Sequence, residues 1–224
     1  LVRHRRLILP QLGATGVSAH QVKKQSGFEV VWGPVRARDI KPFLDSDLKG
    51  DAAMRRITFT PSERLVLVPV EITLLRKYLG WSVALIFALS AIGPHFLSLS
   101  AIWQRGLLAA MAVLTGIVAG CAAVPALLPQ LPGRAFAVKG GLAGAVAGAL
   151  IVAVQWSNPW ITVWSALALV LLTTSVSSFL SMNFTGSTPY TSPSGVEKEM
   201  RRAIPMQLAA ALIAVVIWVC AAFG

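Results

Sequence analysis

Hydrophobic and polar positions divide the chain into two parts at about Tyr78. Before this residue, short apolar runs alternate with charged and polar residues, and after it long apolar blocks carry few charges. A block of about 20 apolar residues is long enough to cross a bilayer as a helix. We therefore predict three segments, which are the C-terminal part of a soluble domain (1–60), a juxtamembrane linker helix (61–79) and a transmembrane domain (80–224).

The first segment has the pattern of a βαβ unit. Residues 6–9 form a short apolar run, and residues 29–32 are rich in β-branched and aromatic side chains, so both are predicted strands. Between them, Thr15 or Ser18 can cap a helix that ends at Gly27. Two strands joined by one helix form a parallel sheet. The predicted fold class is a partial, Rossmann-like α/β domain followed by an all-α membrane domain of five transmembrane helices.

Further elements are predicted before the membrane. A helix is expected near residues 37–44 and a third strand over residues 56–59. Thr60, Pro61 and Glu63 have the spacing of a helix start, with a capping threonine, a proline in the first turn and a glutamate that bonds back to the cap. Pro69 should kink or break the helix that follows, because proline lacks the backbone N–H.

Small residues are concentrated in the two loops that follow the predicted strands. Ligands of parallel sheets bind outside the carboxyl ends of the strands, and glycine lets a flat ligand approach the backbone closely. We predict a binding site in these loops, with Arg36 either contacting the ligand or pairing with Asp39. The candidate binding residues are Pro10, Gln11, Leu12, Gly13, Ala14, Thr15, Gly16, Gly33, Pro34, Val35, Arg36 and Ala37.

Five apolar blocks could each span a bilayer. The first is interrupted by Gly93 and Pro94, and the third carries Gly140, Gly144 and Gly148 at a spacing that lets another helix approach. We expect that glycine strip to serve packing inside the chain. The blocks cover roughly residues 80–99, 105–128, 138–156, 160–181 and 204–223.

Charge narrows the choice of function. The formal net charge is +11, but the basic residues flank the apolar blocks, which is typical of positive-inside retention and of contact with anionic lipid. We therefore exclude nucleic acid as a partner. No charged residue is expected deep inside a block, which disfavours an ion-coupled transporter. The loops predicted to be cytoplasmic carry Arg134, Lys198, Arg201 and Arg202, whereas the opposite loops carry Arg105.

These charges predict a multi-pass protein of the inner (cytoplasmic) membrane, with the soluble part in the cytoplasm and the C-terminus outside. Cys121 and Cys220 lie in apolar blocks and lack metal-ligand spacing, so we interpret them as buried packing residues. The three histidines are separated along the chain and predict no metal site.

The loop over 182–203 is rich in hydroxyl groups. It is either a flexible polar connector or a surface that faces the same ligand as the βα loops. Ser194 and Glu197 could form a capping box that opens a short helix through Arg202. The hydroxyl residues are Thr185, Ser187, Thr188, Tyr190, Thr191, Ser192 and Ser194.

Several long segments resemble one known family. These are RLILPQLGATGVSAHQVKKQSGFEVVWGPVRARDIKPFLD, MRRITFT, ERLVLVPVE and MNFTGSTPYTSPSGVEKEMR. They are similar to the corrinoid proteins of the mercury-methylating pair (the HgcA family), which are related to the large subunit of the corrinoid iron–sulfur protein. The resemblance extends over essentially the whole chain, including five membrane helices.

The resemblance implies a cofactor, partners and a reaction. Members of the family bind a cobalamin-type corrinoid and pass a methyl group from cobalt to Hg(II), which gives methylmercury. A ferredoxin-like partner with two 4Fe–4S clusters supplies electrons, and a separate methyl donor reloads the corrinoid. The family's axial cysteine lies in an Asn-Val-Trp-Cys-Ala-Ala-Gly-Lys motif that this sequence lacks. We expect that motif just before Leu1, in a part of the soluble domain missing from this fragment.

Two alternatives remain open at this point. The chain could be a corrinoid methyl carrier of one-carbon metabolism, in the acetyl-CoA pathway, without mercury chemistry. It could also be a membrane scaffold or transporter whose soluble part binds nothing. The cofactor chemistry belongs to the corrinoid in the first two cases, and the protein would position it.

Overall fold

The computed structural model of the chain describes residues 4–58, 60–94, 98–184 and 193–223. The chain divides into two compact units, Leu1–Phe59 (unit 1) and Thr60–Gly224 (unit 2). Each unit is described separately below.

Unit 1 contains a parallel pair of strands joined by a helix. Strand β1 (Arg6–Leu9) pairs with strand β2 (Glu29–Trp32), with Leu9 opposite Trp32. Helix α1 (Ala19–Ser26) connects them and ends at Gly27, which adopts the left-handed conformation at a φ of 72°. Glycine is favoured there because it has no Cβ. The predicted βαβ unit is confirmed, and a larger Rossmann-like sheet remains a prediction.

After β2 the chain forms short helical segments and turns. A 3₁₀ turn (Ala37–Asp39) leads into α2 (Ile40–Asp45), close to the helix predicted there. The third strand predicted over 56–59 is wrong for residues 56–58. The Arg56 N–H donates to Ala53 O at 3.3 Å and closes a turn, so it is not available to a strand partner. Phe59 lies outside the described residues.

Phe43 is the main buried anchor of unit 1. Its side chain is 1% exposed, and its ring packs beside Gly33 and Gly50. By contrast, Leu7 and Ile8 of β1 remain 40% and 43% exposed. The sheet of unit 1 therefore leaves part of its apolar surface open to solvent.

Unit 2 begins with the predicted helix start. Thr60 accepts from the Glu63 N–H at 3.4 Å, and the Glu63 carboxylate accepts from the Thr60 N–H at 2.8 Å. The helix α3 (Pro61–Leu65) is short, and α4 (Val68–Ser90) begins with Pro69 in its first turn. The break predicted at Pro69 is confirmed, because a proline nitrogen is tolerated where no helical hydrogen bond is required.

Five helical segments of unit 2 are long and apolar enough to cross a membrane. The chain is therefore a multi-pass membrane protein. Helix α5 (Leu99–Val118) continues through a π-helical turn (Ala119–Ala123) into α6 (Val124–Ala126). The remaining spans are α7 (Phe136–Val154), α8 (Val163–Asn183) and α9 (Pro193–Cys220).

Predicted boundaries of three helices differ from the structure, and the first span ends at Ser90 rather than at the predicted residue 99. Helix α4 runs from Val68 to Ser90 without a break at residue 79, so the predicted linker and the first span are largely one helix. Helix α5 begins at Leu99, six residues before the predicted start of the second span. The short helix predicted from Ser194 continues through Pro205 into the last span as α9.

Helix α8 is packed between two helices that present glycine. Gly140, Gly144 and Gly148 of α7 face it, and an added Cβ at Gly144 would lie 2.8 Å from Thr174 Cα. On α5, an added Cβ at Gly116 would lie 3.0 Å from Thr173 O. The predicted role of the α7 strip in internal packing is confirmed, because small residues allow this close approach.

Hydroxyl groups of α8 reach the backbones of its neighbours. Ser177 donates to Gly140 O at 2.7 Å, and Ser178 donates to Ala137 O at 2.8 Å. Ser175 donates to Gln207 O of α9, also at 2.7 Å. These hydroxyl groups need hydrogen-bond partners, because an unpaired polar group is energetically costly inside a membrane. These contacts position α7, α8 and α9 relative to one another.

Candidate functional site

The two predicted binding loops lie side by side at one edge of the unit 1 sheet. Strand β1 ends at Leu9 and β2 ends at Trp32, and the Gly33 N–H donates to Leu9 O at 2.8 Å. The two loops follow the carboxyl ends of neighbouring parallel strands, where such sheets bind ligands. The structure thus brings together both groups of candidate residues.

The first loop folds as a 3₁₀ turn over Gln11–Thr15. Within it, Gly13 N–H donates to Pro10 O at 2.9 Å and Gly16 N–H donates to Gly13 O at 3.0 Å. These two amides are used inside the loop and are not available to a ligand. A Cβ added at Gly13 would have no heavy atom within 4 Å, so this position is open to an approaching group.

Gln11 carries the most distinctive polar atom of the loop. Its side-chain Oε1 is buried and has no hydrogen-bond partner among the described residues. An unpaired buried acceptor is unfavourable, so this oxygen is suited to a ligand that brings an N–H or O–H donor. The sequence placed Gln11 in the site for its backbone, and the unpaired side-chain oxygen was not predicted.

The second loop is more closely packed than the first. Gly33 and Pro34 are buried, and a Cβ at Gly33 would lie 3.2 Å from Ile8 Cγ2. Gly33 is therefore required for packing against β1, which differs from the predicted reason of close approach to a ligand. The Val35 N–H donates to Met54 O at 2.9 Å and is also occupied.

The charged residues of the second loop have partners within unit 1. Arg36 donates to Thr58 Oγ1. Arg38 Nε lies 3.8 Å from Asp39 Oδ1, and because the Arg38 side chain is 73% exposed this pair contributes little to stability. Arg36 is thus held across the loop by Thr58, and whether it also contacts a ligand stays a prediction.

The residues of the two loops can be compared with the two parts of a corrin, its ring periphery and its metal. A corrin carries peripheral amides, whose N–H groups match the unpaired Gln11 Oε1. None of the twelve candidate residues is a histidine or a cysteine. Among the described residues, no group of three or more His, Cys, Asp or Glu side chains could hold a metal ion. For the corrin that the family resemblance implies, the loops thus offer an acceptor for the ring periphery, and their candidate residues include no imidazole or thiolate.

The hydroxyl loop and the cysteines lie in unit 2. Residues 185–192 fall outside the described residues, so the predicted docking role of the hydroxyls there is not tested. Ser194 belongs to α9. Cys121 is buried in the π-helical turn, whereas Cys220 is exposed at the end of α9. Cys220 therefore does not pack inside the bundle, and its burial within the membrane stays a prediction.

Two buried arginines were missed by the sequence analysis. Arg64 is 6% exposed and donates to Pro125 O at 2.8 Å. Arg105 is also 6% exposed and lies within α5, whereas it was predicted to be in a loop. Arg105 lies in a helix rather than a loop because α5 begins at Leu99, six residues before the predicted span. Arg105 lies in the second turn of α5, so the expectation that no charged residue lies deep inside a span stays a prediction, although this side chain is buried in the protein.

No family model matches the chain, and no curated protein or solved structure shows significant similarity to it.

Proposed function

We propose that this chain is a membrane-anchored corrinoid-dependent methyltransferase that passes a methyl group from cobalt to inorganic Hg(II), giving methylmercury. The observation that carries the proposal is the unpaired Gln11 Oε1 in the loop after β1, at the carboxyl edge of a parallel strand pair. Such an edge is where open parallel sheets bind cofactors. The family resemblance of the sequence supports the identity of the ligand.

The residues of unit 1 would bind and orient the cofactor. When bound, a methylcorrinoid supplies the cobalt-bound methyl group that Hg(II) accepts. Gln11 Oε1 would accept a hydrogen bond from a peripheral amide, and the open space beside Gly13 would admit the edge of the ring. A net hydrogen bond contributes only about 0.5–1.5 kcal/mol, so shape at Gly13 should matter more than the single bond at Gln11.

The proposal includes partners and a location. A ferredoxin-like protein with two 4Fe–4S clusters would supply electrons, and a separate donor would supply methyl groups. We place the protein in the inner (cytoplasmic) membrane, with unit 1 in the cytoplasm and the C-terminus outside. In support, Arg76, Arg134 and Arg201 all lie near the end of the bundle where α4, α7 and α9 begin. A reporter fused after Thr60 should report a cytoplasmic location, and a reporter fused after Gly224 should report an outside location. The reverse pattern would contradict this topology.

Corrinoid binding can be tested with the full chain in detergent. Visible absorption would follow the titration of aquocobalamin into wild type, Gly13→Trp and Gln11→Ala. We expect Gly13→Trp to abolish binding, because the indole fills the space that the ring requires. We expect Gln11→Ala to weaken binding by about threefold to tenfold, in line with the loss of one hydrogen bond.

A matched control separates a blocked site from general damage. Lys24 is exposed on α1 near Gly27, at the sheet edge opposite the loops, so Lys24→Trp introduces the same indole side chain away from the site. Gly33→Trp is unsuitable, because the side chain would collide with Ile8 and disturb the fold. Equal binding by wild type and Gly13→Trp, or no binding by wild type, would contradict the site.

The choice between the two corrinoid functions needs a second measurement. Methylmercury formation would be followed in cells that contain the protein with its ferredoxin-like partner, at matched membrane levels. Product formation that is lost in Gly13→Trp and kept in Lys24→Trp supports mercury methylation. Corrinoid binding without methylmercury would instead indicate a methyl carrier of one-carbon metabolism.

A further inference from the structure

Arg105 lies in the second turn of α5, where it joins the ends of two other helices. Its Nη1 donates to Ile92 O at 2.9 Å, just after the end of α4, and its Nη2 donates to Trp218 O near the end of α9. The guanidinium carbon lies 4.9 Å from the centre of the Trp218 ring. These contacts hold the side chain in one place and remove it from water.

The guanidinium is not fully satisfied by these contacts. Arginine has five N–H donors, and the two carbonyl oxygens account for two of them. Arg105 has no other hydrogen bond or ion pair with a described residue. A charged group that is 6% exposed and has unused donors is unfavourable without further partners.

No acidic side chain in the described part of unit 2 lies near Arg105. Its acidic residues are Glu63, Glu71, Glu197 and Glu199, and the sequence has no Asp or Glu between residues 72 and 196. Glu71 lies in the first turn of α4, which at 1.5 Å per residue is about 28 Å from Ser90 at the other end. Glu197 and Glu199 likewise lie in the first turns of α9, far from its end at Cys220.

Helix ends compensate only part of this charge. The C-termini of α4 and α9 place a partial negative charge of about half a unit each beside Arg105. The N-terminus of α8 lies at the same end of the bundle and brings a partial positive charge. The local charge is therefore positive.

A small cavity lies beside the guanidinium. It has a volume of about 100 Å³, and Arg105 shares its lining with the hydroxyl residues Ser90, Thr162 and Ser165 and with Trp160. Thr162 is the cap of α8 and accepts from the Ser165 N–H at 3.2 Å. The cavity thus combines a fixed buried cation with hydroxyl groups and an aromatic wall.

We propose that this cavity binds a phosphate group through Arg105. The planar guanidinium presents paired N–H donors that match two phosphate oxygens, and a buried charge pair of this kind is strong. The cavity lies at the end of five membrane-crossing helices, where lipid headgroups are found, so a phospholipid phosphate is the expected source. The inference is independent of corrinoid binding.

Thermal unfolding of the full chain in neutral detergent provides the test. Four additives separate the sources, namely phosphatidic acid, diacylglycerol, inorganic phosphate and chloride at equal ionic strength. We expect phosphatidic acid to raise the unfolding midpoint of wild type and diacylglycerol to have no such effect. In Arg105→Gln, the concentration of phosphatidic acid that gives half of the shift should rise at least about tenfold.

Two more variants serve as controls, one that fills the cavity and one that removes a charge elsewhere. Ala222 lines the cavity, so Ala222→Leu fills the cavity and keeps the arginine. If Arg105→Gln fails to fold, the response of Ala222→Leu to phosphatidic acid tests the site instead. Arg76→Gln removes an exposed charge near the other end of the bundle and should respond like wild type. If inorganic phosphate raises the unfolding midpoint of wild type but not of Arg105→Gln, the site is supported and its ligand is a soluble anion. An equal response of wild type, Arg105→Gln and Ala222→Leu, or no response of wild type, would overturn the proposal.

Discussion

Unit 1 and unit 2 achieve their packing with opposite kinds of residue. Among its described residues, unit 1 depends on one large buried side chain, Phe43, and leaves Leu7 and Ile8 substantially exposed. The centre of unit 2 is built from small residues, with glycines of α7 against Thr173, Ser177 and Ser181, each 0% exposed. In water, burial of apolar area drives packing, whereas in lipid close contact and hydrogen bonds must do so. The two units therefore should respond to different mutations.

The largest effect is expected for Phe43→Ala. Truncation of a buried phenylalanine costs about 3–5 kcal/mol, and unit 1 has no comparable second anchor among its described residues. Hydrogen exchange measured by mass spectrometry should show faster exchange over residues 4–58 and unchanged exchange in α7 and α8. Leu44→Ala, at a neighbouring side chain that is 49% exposed, serves as the control. Loss of protection in α8 would show that the two units are not independent.

A smaller effect on the other unit is expected for Gly144→Ala. The added Cβ would lie 2.7 Å from Ser177 Cβ and 2.9 Å from Thr173 O, so α7 and α8 must separate. Overpacking of this kind costs about 1–3 kcal/mol. Unfolding of the detergent-solubilised chain would be followed by circular dichroism. Gly141→Ala is the matched control, because nothing lies within 4 Å of its added Cβ. Equal stability of the two variants would refute the close packing of α7 on α8.

The smallest effect is expected for Ser177→Ala. This change removes the bond to Gly140 O and leaves the packing nearly intact, and hydrogen bonds between membrane helices contribute about 0.6 kcal/mol on average. The same unfolding measurement should detect a small loss. Ser82→Ala should be neutral, because Ser82 donates to Tyr78 O within its own helix. A loss for Ser177→Ala as large as that for Gly144→Ala would mean that bonding, rather than shape, governs this interface.

Local features were predictable from the sequence because their causes are local. The two strands, the glycine that ends α1 and the capping box at Thr60 each depend on residues a few positions apart. The span boundaries were less predictable. Hydropathy alone does not show that α4 and α9 extend past the apolar block into charged residues, since a helix continues as long as its backbone bonds do.

The candidate site was predictable as a place but not in its chemistry. Strand order is enough to bring the loops after Leu9 and Trp32 together. The unpaired oxygen of Gln11 and the packing role of Gly33 depend on neighbours that the sequence does not reveal. Arg105 is the extreme case, because its acceptor Trp218 O lies 113 residues away.

The length of α9 has a consequence for how unit 2 matches a bilayer. Its 28 residues extend about 42 Å, which exceeds the hydrophobic thickness of about 30 Å. The Glu199 carboxylate accepts from the Ala137 N–H at 2.7 Å, so α7 begins level with the second turn of α9. From that level, the 19 residues of α7 extend about 28 Å. The length of α7 alone thus matches the hydrophobic thickness, and the first turns of α9, with Glu197 and Lys198, extend beyond the start of α7.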